Sequence, residues 1–299
     1  MIENKPLVTI LLLTYNQQEF IADSIKSALN QDYPKLQIII SDDSSSDKTY
    51  EIAKNVVENY VGEHHVTLRK TKENLGIGTH FNDVLPLVDG DYVFLAAGDD
   101  ISCLNRVSLF YDNVILTNSD FKAGFSNLMI IDELSREVRP LFLEKPTFPQ
   151  SIGEFEKKNT SWCVGASLVI HRSLYDDYGE FVMGTRQEDG CFAFRAILKG
   201  EFIYYDEITV YYRHHGGNIS QGLNLSQKIE FKKKEHILWE NWLKDALIYN
   251  SNNVSLIEVL EQGLKSSLRR RDLLSIKYFG YVYYLARESY LKLVRYFSN

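Results

Sequence analysis

The chain predicts an α/β fold: a mostly parallel, doubly wound central sheet flanked by helices, with a helical extension at the C-terminus. Short runs at residues 7–13, 36–40 and 92–97 are almost continuously apolar, as strands buried on both faces must be. Stretches between them repeat apolar residues at helical spacing, so strands and helices alternate. From Leu225 onward the pattern is helical with few breakers.

In order, residues 7–13 form the first strand, and Ile21, Ile25, Ala28 and Leu29 mark a helix over 19–30 that ends at Asp32-Tyr33-Pro34. A second strand, 36–40, runs into Ser41-Asp42-Asp43-Ser44-Ser45-Ser46-Asp47. Ile52, Ala53, Val56, Val57 and Tyr60 carry the next helix, and 65–69 the third strand. A loop with Asn74, Gly76 and Gly78 leads to a helix over 79–88, then Asp89-Gly90-Asp91 turns the chain into the strand 92–97. Beyond Asp100 the alternation loosens. Strands are expected at 125–131, 163–171 and 202–212, a proline-bearing loop at 141–155, and a helix carrying Phe192, Ala193, Ala196 and Ile197. Domain 1–222, with halves 1–100 and 101–222, is expected to precede a helical extension, 223–299.

Composition narrows the class. In 299 residues, 44% hydrophobic and 24% charged content is ordinary for a globular core. A net charge of −7 argues against nucleic acid as a partner. Cys103, Cys163 and Cys191 are odd in number and far apart, which fits a reducing cytosol better than a disulfide framework. Residues 1–6 have no signal-peptide pattern, and no run of 18 apolar residues occurs, so a cytoplasmic location is expected. Charge is uneven. Residues 260–299 hold eight basic and three acidic side chains, +5 locally, leaving −12 for the remainder, and the same segment holds eight aromatics. Basic residues beside aromatics suit an interfacial helix on an anionic bilayer, or else a helical cap with solvated charges.

Candidate chemistry gathers at strand ends, where open α/β sheets bind ligands. Asp99 and Asp100 close the strand 92–97. Two adjacent carboxylates repel unless a cation or strong donors lie between them, so they suit Mg²⁺ or Mn²⁺, or else cap the helix beyond Leu104. Thr14-Tyr15-Asn16 and Asp42-Asp43 end the first two strands, as caps or as ligand contacts. Glu188-Asp189 is either an acidic cap of a helix starting near Cys191 or a base for a hydroxyl nucleophile. Trp162 is either a platform for a sugar ring or a core residue.

Together these motifs resemble the family 2 glycosyltransferases of the GT-A (Rossmann-like) fold, over about residues 7–220. The resemblance rests on Thr14-Tyr15-Asn16, Asp42 to Asp47, Asn74-Leu75-Gly76 with Asn82, Ala97-Gly98-Asp99-Asp100, Glu188-Asp189, and Arg213-His214-His215 with Asn218 and Ser220. It implies an inverting, metal-dependent transfer of a sugar from a nucleotide-sugar, UDP-linked by preference, to a saccharide acceptor that is lipid-linked, in surface-polysaccharide assembly. It implies that Thr14, Tyr15, Asn16, Asp43, Asn74, Gly76, Asp99, Arg213 and His215 bind the donor, with Asp43 facing the base imide. The metal falls to Asp99, Asp100 and His215, the catalytic base to Asp189 beside Glu188, and the acceptor pocket to Trp162, Gly165 and Ala166. Ala97 replaces the first aspartate of the metal motif. A lipid-linked acceptor and the basic tail together suggest a peripheral position on the inner face of the cell membrane. Two alternatives stay open. A nucleotidyltransferase would not need Glu188-Asp189 or Arg213-x-His215, and a degenerate binding module would bind donor without turnover.

Overall fold

The structure is a computed structural model that describes residues 5–158, 163–216 and 224–275. The chain divides into two compact units, Met1–His215 and Gly216–Asn299.

The first unit opens with the expected alternation: β1 (Val8–Thr14), α1 (Ile21–Leu29), β2 (Leu36–Asp42), α2 (Thr49–Glu58), β3 (His65–Lys70), α3 (Ile77–Val84) and β4 (Tyr92–Ala97). β1 and β2 are buried at every position, which is why their sequences run apolar without alternation. Pairing is parallel throughout this half. Its register sets Thr14 against Asp42, Leu13 against Ala97, and Asp42 against Lys70, so the carboxyl ends of these strands form one edge. α1 lays Ile21, Ile25, Ala28 and Leu29 on the core beside Val8, Ile10, Leu12, Ile38 and Phe94.

After β4 come β5 (Ile101–Ser102), α4 (Arg106–Phe110), a π-helical turn over Tyr111–Ile115, β6 (Phe121–Ile131), β7 (Glu137–Pro140), α5 (Ile152–Lys158), β8 (Val169–His171), α6 (Ser173–Asp176), α7 (Glu188–Lys199) and β9 (Glu201–Arg213). All strands join one sheet in the order β3-β2-β1-β4-β8-β6-β9-β5, with β7 on β6. The sheet unites the two halves into one domain. β6 and β9 are parallel, while β8 runs antiparallel to both β4 and β6.

Three expectations change. The strand expected over 163–171 is only Val169–His171, because Gly165–Ser167 forms a 3-10 turn. The loop expected over 141–155 ends in α5, where Phe155 is buried against Phe194. α7 begins at Glu188 rather than near Cys191, so both carboxylates lie in its first turn.

The second unit holds α8 (Leu225–Lys233), α9 (Glu235–Tyr249) and α10 (Val254–Ser275). Asn224 and Gln227 form a reciprocal capping box at the start of α8. Trp239 and Trp242 pack edge to face, and Arg270 of α10 pairs with Glu235 of α9. No helix among the described residues is long and apolar enough to cross a membrane. The eight tail aromatics, all beyond residue 276, lie outside the described residues.

Candidate active site

At the β1 and β2 ends, side chains tie the two loops together. Asn16 has a positive φ of 51°, its backbone N–H donates to Ser45 Oγ at 2.8 Å, and its Oδ1 accepts from the Ser46 N–H at 2.9 Å. Asparagine tolerates this left-handed conformation better than most residues. Thr14 is buried and donates to Gln17 Oε1 at 2.7 Å, whereas Tyr15 is 45% exposed. Asp42 accepts the Ser45 N–H through Oδ1, and its buried Oδ2 has no hydrogen-bond partner among the described residues.

Asp43 is 4% exposed and holds the next loop. Oδ1 accepts the Leu75 N–H at 2.8 Å, and Oδ2 accepts the Gly76 N–H at 2.9 Å. Asn74 Oδ1 accepts from the same Gly76 N–H at 3.1 Å. Gly76 has φ 72°, a conformation that costs little without a side chain, and it stands as the N-cap of α3.

At the β4 end, Asp99 is 8% exposed, and its Oδ2 lies 3.0 Å from His215 Nε2. Phe20, just before α1, packs its ring 4.7 Å from the His215 ring. Asp100 is buried. Its Oδ1 accepts the Arg213 N–H at 2.8 Å, and its Oδ2 has no hydrogen-bond partner among the described residues. Burial, then the Asp99 charge, pushes the Asp100 carboxyl well above the usual carboxylate range. Among the described residues no three His, Cys, Asp or Glu side chains gather closely enough to hold a metal. Of the expected trio, Asp99 and His215 meet directly, while Asp100 holds the start of the closing segment through the Arg213 N–H. An Asp-His pair fits an ion that takes one or two protein ligands and completes its shell with phosphate oxygens and water.

Arg213 is 1% exposed, and its Nε donates to the Asp99 carbonyl at 2.9 Å. Its Nη1 donates to the carbonyls of Asp132 and Glu133 and to Ser135 Oγ, while the guanidinium stacks over Phe20 at 4.8 Å. These contacts make it a buried brace between the β4 end and the turn after β6.

Glu188 and Asp189 sit half-buried in the first turn of α7. The Cβ position of Gly165 lies 3.5 Å from Asp189 Cβ and 3.7 Å from Glu188 Oε1, so the 3-10 turn faces both carboxylates. Asp189 accepts N–H donors from Gly190, at 2.7 Å, and from Gly165. Burial raises both carboxyls, and the neighbouring Asp189 charge helps push Glu188 up to about 8. Glu188 lacks the two backbone donors that stabilise an Asp189 carboxylate. Both carboxyls are held above the usual carboxylate range by burial. Trp162 lies outside the described residues, as do Asn218 and Ser220.

Sequence reasoning missed three contributors. Cys163 donates its thiol to the Asp189 carbonyl at 3.3 Å, and burial with the two carboxylates pushes that thiol well up. Arg106, fully buried, donates to the carbonyls of Leu95 and Ala166 and thereby ties the 3-10 turn to β4. Phe20 supports both Arg213 and His215. The signal for Arg106 and Phe20 was present only as residue type, a lone cation and a lone aromatic within helical stretches.

The fold, with its parallel half and mixed second half, is that of the GT-A glycosyltransferases. It superposes on Staphylococcus aureus TarS 1–349 in complex with UDP-GlcNAc with a TM-score of 0.62 and 18% identity, covering 91% of this chain and 76% of that one. It also superposes on the mannosyltransferase PcManGT of Pyrobaculum calidifontis, in complex with GDP-Man and Mn²⁺, with a TM-score of 0.54 and 16% identity over 98% and 82% of the two chains. The sequence profile described as Glycosyl transferase family 2 matches residues 9–179. The chain belongs to that family. An uncharacterized glycosyltransferase of Methanocaldococcus jannaschii is 26% identical over 70% of this chain and 71% of its own length. The putative glycosyltransferase EpsE of Bacillus subtilis is 33% identical over 34% of this chain. An uncharacterized glycosyltransferase of Haemophilus influenzae is 28% identical over 40% of it. The chain spans 36% of the EpsE length and 48% of the Haemophilus protein.

Proposed function

We propose that the protein transfers a sugar from a UDP-sugar to a saccharide acceptor, with inversion at the anomeric carbon. The observation that carries this reading is the pair of carboxylates in the first turn of α7, facing the Gly165–Ser167 turn with Asp189 taking the Gly190 N–H. Asp189 takes the proton of the acceptor hydroxyl as that oxygen bonds to the anomeric carbon, and the bond from that carbon to the diphosphate breaks. One displacement from the face opposite the leaving group inverts the centre. Glu188 orients the acceptor, and Gly165 and Ala166 line its pocket.

Thr14, Tyr15, Asn16, Asn74 and Gly76 surround the nucleoside in this reading, with Asp43 facing the base imide. Spare lone pairs on the Asp43 oxygens leave room for that bond. A divalent Mg²⁺ or Mn²⁺ held by Asp99 and His215 would offset charge on the departing diphosphate. The UDP-GlcNAc bound to TarS and the GDP-Man and Mn²⁺ bound to PcManGT support a nucleotide-sugar donor and a metal.

The acceptor is proposed to be lipid-linked and the protein peripheral on the inner face of the membrane, held by the basic C-terminal helices. Exposed Lys265 and Arg269 on α10 support that reading. Flotation with anionic liposomes, comparing the full chain with Lys265→Glu/Arg269→Glu, tests it, and equal flotation of both forms would remove the membrane role.

A thermal-shift and calorimetry panel of UDP, TDP, ADP and GDP, with and without Mn²⁺, tests the donor reading. Metal-dependent stabilisation by UDP and not by ADP or GDP is expected, of about 2.7 kcal/mol at a hundredfold excess over Kd. No response to any nucleotide would overturn it.

A further inference from the structure

The segment that leads into α7 is fastened to α3 at two points. Asn82 Nδ2 donates to the Phe181 carbonyl at 2.9 Å, and Asn82 Oδ1 accepts the Phe181 N–H at 2.8 Å. One side-chain amide thus satisfies both backbone groups of a residue 99 positions away, as a neighbouring strand would. Both bonds require the same orientation of the amide, which settles its oxygen and nitrogen. One turn earlier, the Gly78 N–H donates to the Thr185 carbonyl at 3.2 Å. A Cβ at position 78 would fall 2.6 Å from Thr185 Cβ and 2.8 Å from Thr185 O, so only glycine admits this approach. Positions 78 and 82 are four apart and share one face of α3.

The N-terminal end of α3 is also held by the loop that carries Asn74 and Gly76. Its N-cap is Gly76, whose N–H the Asp43 carboxylate accepts. Glu188 and Asp189 follow Thr185 by three and four residues. Between the fastening points the segment makes a tight turn, with the Thr185 N–H and Oγ1 donating to the Val182 carbonyl, Met183 82% exposed and Gly184 at φ 85°. The body of α7 has further support away from Phe181, with Phe192 packed against Phe81, Phe194 against Phe155, and Ala193 and Ala196 buried. Loss of the fastening would therefore loosen the first turn of α7 and leave the helix in place.

We propose that Asn82, with Gly78, is a clasp that sets the catalytic carboxylates relative to the donor loop, making Asn82 a positioning residue for the transfer step. The clasp rests on the reading of Asp189 as base. It transmits geometry through α3, and Asn82 itself touches no reacting atom.

Hydrogen exchange on the full chain tests it, comparing wild type, Asn82→Asp, Asn82→Leu and Asp189→Asn. In Asn82→Leu, exchange of the Phe181 amide and of residues 182–190 rises by about tenfold or more, while β1 and the later turns of α7 stay protected. Asn82→Asp keeps the acceptor for the Phe181 N–H and lies between. UDP affinity with Mn²⁺ stays within about twofold, and kcat for hydrolysis of UDP-glucose or UDP-GlcNAc by water falls by about ten- to a hundredfold at unchanged KM. Unchanged exchange at 181–190 in Asn82→Leu overturns the clasp, as does an equal rise across the whole unit. Faster local exchange with unchanged kcat, where Asp189→Asn abolishes hydrolysis, overturns the positioning role. Hydrolysis that survives Asp189→Asn overturns the base assignment instead, and exchange alone then decides the clasp.

Discussion

His215 Nε2 and Asp99 Oδ2 meet at 3.0 Å across 116 positions of sequence, one at the end of β4 and the other just past β9. If this pair holds the metal, Asp99→Asn removes the Mn²⁺-dependent part of UDP stabilisation. His215→Gln weakens it by about tenfold, the usual size of one lost ligand or its orienting partner. Titration of Mn²⁺ against the UDP thermal shift measures both. An unchanged Mn²⁺ midpoint in both variants would place the metal elsewhere.

Asp43 is expected to matter for stability as well as for donor binding. Asp43→Ala leaves the Leu75 and Gly76 N–H groups without their carboxylate partner, at a cost of about 3 kcal/mol. Urea unfolding should show that loss without nucleotide present. A variant that loses UDP binding at full stability would mean the loop holds itself.

Arg213 is expected to behave as a brace. Arg213→Met strips hydrogen bonds from the carbonyls of Asp99, Asp132 and Glu133 and should lower unfolding free energy by at least about 3 kcal/mol. Arg213→Lys should recover little, because an ammonium cannot reach several carbonyls from one planar fork. Full stability with a selective loss of UDP affinity would make Arg213 a donor-binding residue rather than a brace.

The Glu188-Asp189 pair predicts a pH signature. The Glu188 pKa rises from 4.5 to about 8 on folding, so the native state holds more protons than the unfolded chain between those values. Stability then falls as pH rises through that window. Glu188→Gln should flatten the fall, seen as a smaller drop in Tm between about pH 5 and about pH 8, near the two ends of that window. Transfer or hydrolysis should rise with pH as Asp189 ionises, and should be lost at every pH in Asp189→Asn. Identical Tm profiles would mean that Glu188 keeps an ordinary carboxylate pKa.

Much of the first half could be read before folding. Parallel strands buried on both faces leave uninterrupted apolar runs, so β1, β2 and β4 appeared within a residue or two at most of their ends, and polar residues at those ends marked one ligand edge. The second half was harder because its strands pair antiparallel or at irregular register, with bulges between β6 and β9. The turn at Gly165–Ser167 reads as strand because its neighbours Cys163, Val164 and Leu168 are apolar. The start of α7 was misplaced because nothing local separates a carboxylate before a helix from one in its first turn.

The sequence by itself determined the fold class, the family resemblance and the order in which the strand-end motifs follow one another, since each depends on periodicity or on residues close in the chain. Only the tertiary structure decided which of those residues face the site. Arg213 and Asp100 are both buried, and the Arg213 N–H to Asp100 and the Arg213 Nε to the Asp99 carbonyl tie the end of β9 to the residues after β4. Asn82, a polar residue in an amphipathic helix, meets Phe181 across 99 positions. Such pairings arise from closure of the sheet and the packing of α3 on the segment before α7, which no local pattern encodes.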